Sequence, residues 1–406
     1  MDVTSRKRIA LDSLSSSWFL IPQGTGIVAI ILHQLDYQFD GLEAISVVFW
    51  IITLTTLLFF TITYLLRFIA APAVVYNRII NDTTEAACLA SFSVALTSSI
   101  QMLALVVVPS WGGHPWSRAV YWLWWANAGM AVTACLGIPL LFVNSASKGG
   151  RFSKFLSPTT QLPMIAALTS AAAAGTLAQY AMLSTSQRVP MIVVAYLEIG
   201  LALPLAFGLD ILFLASVLLP WQQHSTEQRP LMEASTYTEF VLCGPWGQTS
   251  FALQLLGLSV LRLQGSLSAY ANAGTNLLLT DRAAEPVGYL SLLVGLVLWG
   301  HSLFWWVFAI VRNSLFAVQC FRRRQPMPFR ISTWAIIFPW GVYTNAAVQL
   351  GKTLNSPAFK VWSTILAVIL VILWLLFAAL TIRGIILGTM LGMDRGWRPR
   401  TARGSR

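Results

Sequence analysis

Two carboxylates and three proline-centred stretches carry the chemistry this sequence offers. Glu198 and Asp210 both lie inside the otherwise uncharged run 190–219. An ionisable group at membrane depth costs at least about 2.5 kcal/mol unless it is partnered, so each is a candidate functional group. As a pair they can relay protons in a coupled carrier. Alternatively, each reaches headgroups or a polar neighbour from its end of a long span. The three stretches are Phe19-Leu20-Ile21-Pro22-Gln23-Gly24-Thr25-Gly26, Val241-Leu242-Cys243-Gly244-Pro245-Trp246-Gly247-Gln248-Thr249-Ser250 and Phe338-Pro339-Trp340-Gly341-Val342-Tyr343-Thr344-Asn345. Each has Pro-x-Gly followed by hydroxyl or amide side chains, inside an apolar run. Proline deletes a backbone N–H and crowds the preceding turn, so a helix bends or opens there. In hydrocarbon, such a break is tolerated only where protein or a water-filled cavity satisfies the freed groups. One break reads as a packing kink. Three copies of it suggest a duplicated unit whose broken helices wall a single polar path.

The elements that position these residues are membrane spans. Of the 406 residues 56% are hydrophobic and 10% charged, against about 25% charged in soluble domains. Nearly uncharged runs predict ten helices, at about 18–35, 44–66, 86–108, 119–144, 161–184, 190–219, 240–261, 286–311, 331–351 and 361–383. They divide the chain into a tail over 1–17, a ten-helix domain over 18–390 and a basic tail over 391–406. An even count puts both termini on one side. If that side is cytoplasmic, the inner segments hold 20 of the 26 Lys and Arg residues, including Arg6, Lys7, Arg8, Arg67, Arg312 and Arg322-Arg323-Arg324. The outer segments hold only Arg118, Arg188, Arg262, Arg282, Lys352 and Lys360. The positive-inside rule therefore places both tails in the cytosol. The net charge of +11 belongs to these short loops and calls for no nucleic acid.

The spans alternate in character. Odd spans lack Asp, Glu, Lys and Arg and are rich in small and hydroxyl residues, as in Ala90 to Ser99 of the third and Thr169 to Thr176 of the fifth. Even spans are bulkier, with Trp122, Trp124, Trp125, Trp299, Trp305 and Trp306. Small residues let helices approach closely or leave room for a passage. The architecture expected is all-α: five hairpins with odd helices around a central pore and even helices facing lipid. The residues expected along that path are Pro22, Gly24, Thr25, Ser93, Thr97, Thr169, Pro245, Gly247, Thr249, Pro339, Gly341 and Thr344. Phe338 precedes the last break, some eight residues from Arg330, or ~12 Å into the bilayer at about 1.5 Å per residue.

Several function classes are excluded. The sequence has no phosphate-binding P-loop, no His-Glu-x-x-His and no nucleophile elbow, which argues against an ATP-driven pump and the commoner hydrolases. Cys88, Cys135, Cys243 and Cys320 are scattered without metal-site or disulfide spacing. No metal or other cofactor is expected. His301 reads as a hydrogen-bonded core residue, and His33 as part of a solvated mouth with Asp36, Asp40 and Glu43.

The run Gly24 to Leu35 resembles the first helix of fungal sulfite efflux pumps and malic-acid transporters. Gly244-Pro245-Trp246-Gly247-Gln248 resembles their seventh helix. Phe338 to Thr344, with Leu350-Gly351-Lys352 and Leu354-Asn355-Ser356, resembles their ninth. These proteins belong to the tellurite-resistance/dicarboxylate transporter family, which includes the plant slow anion channels. The resemblance runs from about Trp18 to Arg383. It implies ten helices, a central five-helix pore, small anions as substrates, and trimers in bacterial members. It also implies a pore-occluding aromatic ring at the position of Phe338. Sulfite and malate branches share these motifs, and Glu198 and Asp210 lie outside the family pattern.

The function expected is efflux of a small anion, sulfite foremost, across the plasma membrane. A membrane negative inside drives anions outward by about 2.3 kcal/mol per charge per 100 mV, roughly fifty-fold at equilibrium. Neutral walls then suffice. The alternative within transport is a proton-coupled carrier of malate or a related C4-dicarboxylate, which Glu198 and Asp210 would serve. A receptor lacks a large ectodomain here, and an enzyme lacks a catalytic constellation.

Overall fold

A computed structural model of the chain describes residues 13–147, 157–218, 236–267 and 280–391. Arg6-Lys7-Arg8, Lys148, Arg151, Lys154, Arg229 and the C-terminal arginines from Arg395 onward lie outside the described residues, as do most of both predicted tails. The described residues form helices α1 (Leu20–Gln34), α2 (Leu42–Ala70), α3 (Pro72–Asn81), α4 (Thr83–Met102), α5 (Gly113–Ser147), α6 (Leu162–Tyr180), α7 (Thr185–Leu218), α8 (Gly244–Leu263), α9 (Asp281–Arg322), α10 (Ile337–Thr353) and α11 (Pro357–Ile386). The short α3 is additional to the ten predicted spans, each of which is helical.

Local sequence sets the boundaries. Gly41, at φ 97°, makes the left-handed turn that starts α2. Asp82 caps α4, its Oδ1 accepting from the backbone N–H groups of Thr84 at 2.9 Å and Glu85 at 3.3 Å. Beyond Met102 the chain winds on as a π-helix over Leu103–Gly112, with Pro109 inside it. Four of the five odd spans begin as 3-10 helices: Ser16–Phe19 before α1, Pro158–Gln161 before α6, Thr236–Cys243 before α8 and Ile331–Ile336 before α10.

The prolines mark those junctions. Pro22, Pro163, Pro245 and Pro339 each fall within the first three residues of an α-helix. This corrects the expectation of broken helices at Pro22, Pro245 and Pro339, because the chain passes from 3-10 to α winding without a gap. A missing N–H is harmless in the first turn, where that donor has no helical partner. The fifth span shares the pattern through Pro163, a fourth copy that lacks the following Pro-x-Gly.

Contacts between elements form two layers. The odd spans α1, α4, α6, α8 and α10 close a ring, each touching the next and α10 touching α1. Each is followed in sequence by an even span, α2, α5, α7, α9 or α11, that packs against it as a hairpin. Burial separates the layers. Every residue from Pro158 to Ala178 is buried, whereas 10 of the 34 residues of α7 are. Leucine, isoleucine, valine and phenylalanine project from the even helices, as at Leu212, Leu293, Val297, Ile372 and Leu375.

Seven helical stretches of the described residues are long and apolar enough to cross a bilayer, and one of them, Thr83–Val143, contains two predicted spans. The spans outside that set are α8 and α10. They are rich in Gly, Gln, Thr, Ser and Asn, which a helix tolerates when protein surrounds it on every side. Their 3-10 lead-ins supply the missing length. The 6 residues Ile331–Ile336 add about 12 Å at ~2.0 Å per residue.

Candidate functional site

Each inner helix has faces occupied by its neighbours, and the arc they leave free marks the centre of the ring. On α10, Trp340 turns outward and donates its indole N–H to the Leu366 carbonyl of α11 at 3.1 Å. Gly341 lies against α1, where an added Cβ would stand 2.6 Å from Ile27. The backbone N–H of Tyr343 lies against α8, 3.0 Å from where a Cβ on Gly247 would be. At about 100° per residue, the remaining arc holds Phe338, Val342, Asn345 and Gln349. Ile337 and Pro339, on either side of Phe338, abut Gly24 of α1 and Gly244 of α8. Phe338 therefore points between those neighbours, toward the axis. It is 2% exposed and, among the described residues, stacks on no aromatic ring, although Trp334 and Trp340 of the same segment each have ring partners.

The same construction applies to α1 and α8. Thr25 faces α11, Gly24 faces α10 and Gly26 faces Ser98 of α4, which leaves Gln23, Ile30 and Gln34 toward the axis. On α8, Trp246 and Ser250 bond outward to Asp210 of α7 and the Gly295 carbonyl of α9. A Cβ on Gly244 would meet both Ile165 of α6 at 3.0 Å and Pro339 of α10 at 3.9 Å. Gly244 thus points between two ring neighbours, and Gln248, one turn on, shares its face.

The expected hydroxyl residues are differently placed. Thr25, Thr97, Thr169, Thr249 and Thr344 each donate to the carbonyl four residues earlier, at 2.6–2.9 Å. Thr25 also accepts the Trp374 indole N–H at 3.0 Å. Asn127 of α5 takes the Ser93 hydroxyl at its Oδ1 and donates to Thr97. Thr25, Ser93 and Thr97 therefore join the inner ring to the outer layer and have no hydrogen left to offer an anion. Amide oxygens are among the buried polar atoms left over. Gln23 Oε1, Gln248 Oε1 and Asn345 Oδ1 are buried without a hydrogen-bond partner. Each of these residues stands in a quoted proline stretch, and the signal that finds them is the angular offset from outward-bonded neighbours.

The two carboxylates of α7 differ in their surroundings. Asp210 accepts the Trp246 indole N–H at 2.6 Å and the Gln161 amide, so it fastens α7 to α8 and to the start of α6. Glu198 is 1% exposed, and neither carboxyl oxygen has a partner. The Ser170 hydroxyl lies beside it without hydrogen-bond geometry. His301 sits against Trp246, ring centroids 4.1 Å apart, and accepts from the Trp305 indole at 3.3 Å.

Two further charge pairs escape a reading of the sequence that assigns arginines to loops. Arg67, at the end of α2, is 1% exposed and pairs with Glu85 of α4 at 2.7 Å. Arg312 of α9 pairs at 3.1 Å with Glu239, in the lead-in to α8. Each joins an outer helix to the N-terminal end of an inner span. Their charge is spent within the protein.

A closed ring of polar-cored helices, jacketed by apolar helices, defines a multi-pass membrane protein of the transporter and channel class. The match to known families agrees: residues 13–382 fit the SLAC1 family, described as voltage-dependent anion channel, and the chain belongs to it. Curated relatives extend over nearly the whole chain. The sulfite efflux pump of Trichophyton rubrum is 27% identical over 382 residues, covering 93% of each chain. That of Arthroderma benhamiae is 26% identical with the same coverage. The malic acid transport protein of Schizosaccharomyces pombe is 26% identical over 384 residues, covering 92% of this chain and 79% of its own.

Proposed function

We propose that this chain carries small anions, sulfite foremost, along the axis of the inner ring, with Phe338 as the plug. The observation that carries this reading is the direction of Phe338, a buried ring on the arc of α10 that faces neither α1, α8 nor α11. The relatives' names supply the substrate, and the neutral walls supply the energetics. A membrane negative inside favours anion efflux, and the path need only offset desolvation. On this reading the proline junctions at Pro22, Pro245 and Pro339 lie close to the level of the plug. Gly24, Gly244, Gly247 and Gly341 let the ring close tightly around Phe338. Family and relatives are channels and transporters, so we read the chain as a transporter, not an enzyme. We place it in the plasma membrane with both tails cytoplasmic, from the basic asymmetry, and as a homotrimer, from the family resemblance. A reporter fused after Arg406 and the mass of the detergent-solubilised particle test those two points.

A second reading rests on Glu198, whose buried, unpartnered carboxyl suits a proton-coupled carrier of malate. One experiment separates the two readings. Radiolabelled sulfite and malate are offered to proteoliposomes holding the full chain, with a membrane potential alone or a pH gradient alone. Sulfite flux driven by potential supports the passive path, whereas malate flux that requires the pH gradient moves the assignment to the coupled carrier.

A further inference from the structure

Gln248 and Asn345 are adjacent in the ring in a way that neither helix reveals alone. Gly247 packs on the Tyr343 backbone, so Gln248 stands level with Thr344, within about 2 Å of the height of Asn345 at ~1.5 Å per residue. Both side chains lie on axis-facing arcs. They are 2% and 1% exposed, and neither amide oxygen has a hydrogen-bond partner. Burying an amide without a partner costs about 1–3 kcal/mol, and here two are buried at one level. Asn345 follows Phe338 by seven residues, which puts the pair about 10 Å outward of the ring.

We propose that Gln248 and Asn345 form a carboxamide site for a small oxyanion that retains one ionisable hydrogen. The proposal rests on the reading of the ring axis as the anion path. A carboxamide offers two N–H donors and an acceptor oxygen. The donors suit the anion's charged oxygens, and the acceptor needs an O–H from the same ion. Hydrogen sulfite meets the donors with its charged oxygens and pairs one of the two amide oxygens with its single O–H. Chloride takes the N–H donors but leaves both amide oxygens unpaired, and a fully ionised oxyanion does the same. The site is neutral, so it discriminates without trapping the ion by charge. Gln23 lies on the corresponding arc of α1, near the level of Phe338, because its neighbour Gly24 abuts Ile337.

The test is a permeability ratio. Full-length protein is reconstituted in planar bilayers, as wild type and as Phe338→Ala, with sulfite on one side at a pH where hydrogen sulfite predominates and chloride on the other. The reversal potential gives the preference. Gln248→Leu and Asn345→Leu are each expected to lower the ratio of hydrogen sulfite to chloride about ten-fold or more, the worth of one hydrogen bond to a charged group. Gln248→Asn keeps the polarity but withdraws the amide by one methylene, and it should shift the ratio in the same direction if the leucine variant does not fold. Variants that conduct with an unchanged ratio overturn the carboxamide site while leaving the path in place. If Phe338→Ala carries neither anion, the path itself falls, and this inference with it.

Discussion

The α6 and α7 helices are consecutive in sequence and opposite in character. The α6 stretch is rich in Ala, Ser, Thr and Gly and buried from Leu162 to Ala178, whereas α7 leaves an open face of Leu, Ile, Phe and Val. In water the apolar helix would be the buried one. Here lipid accepts the apolar surface, so burial is set by close approach and hydrogen bonding. Gly175 shows the first, since a Cβ there would stand 2.7 Å from Leu255 of α8. The second is shown by Gln101 of α4, which donates to Thr176 of α6 at 2.9 Å. The layers are therefore held by different forces and should answer differently to mutation.

The largest effect is expected at the seam between the layers. Arg67→Met strands the buried Glu85 carboxylate, at a cost of about 3–5 kcal/mol. A sharply lower melting temperature in detergent is expected, with most of it restored in Arg67→Met/Glu85→Leu. A single variant that melts like wild type would remove this pair from the forces that join the layers.

Next is Phe338→Ala. A ring packed in a core loses about 3–5 kcal/mol on truncation. A ring that points into a path loses less and unblocks it. Voltage-clamp recording should show more anion current at normal folded yield. If the variant expresses normally yet carries no more current than wild type, Phe338 is not the plug.

The α7 carboxylates should then part company. Asp210→Asn weakens the bonds from Trp246 and Gln161 and should cost about 1.5–3 kcal/mol without altering the pH response of transport. Glu198→Gln breaks no hydrogen bond and should leave stability within about 0.5 kcal/mol. If protons are coupled, it is the variant that loses pH-driven flux. The opposite assignment of the two effects would reverse the roles given to these residues.

The smallest effects separate hydroxyls from the axis. Thr25→Val leaves the Trp374 indole without its acceptor and should cost about 1 kcal/mol, with current and selectivity unchanged. On the lipid face, Leu375→Ala should stay within about 0.5 kcal/mol. A changed permeability ratio in Thr25→Val would return that hydroxyl to the path.

Much of this division was legible in the sequence, because lipid writes it as composition. The ten spans, their alternation and the depth of Phe338 follow from where charges, tryptophans and small residues fall. What composition does not give is direction around a helix. Thr25, Ser93 and Thr97 are as polar as any pore residue, yet membrane helices satisfy hydroxyls on their own carbonyls, and Trp374 and Asn127 take up the rest. The prolines misled for a related reason, since one residue breaks a helix at its middle and begins one at its first turn. Without the 3-10 lead-ins, Pro339 reads as mid-span. Arg67 and Arg312 could not be seen as paired, because Glu85 and Glu239 lie on other segments.

The glycines beside Phe338 bear on time as well as space. Gly24 and Gly244 bring α1 and α8 against the Ile337 and Pro339 side chains on either side of Phe338, so α10 is flanked by packed neighbours there. On the proposed reading the moving part is one aromatic side chain turning about its own bonds. Turning one ring displaces far fewer atoms than the microsecond-to-millisecond motions of whole helices. Openings timed in this way would be too brief to resolve one by one, and a recording would show them as broadened, high-frequency noise on a small steady current.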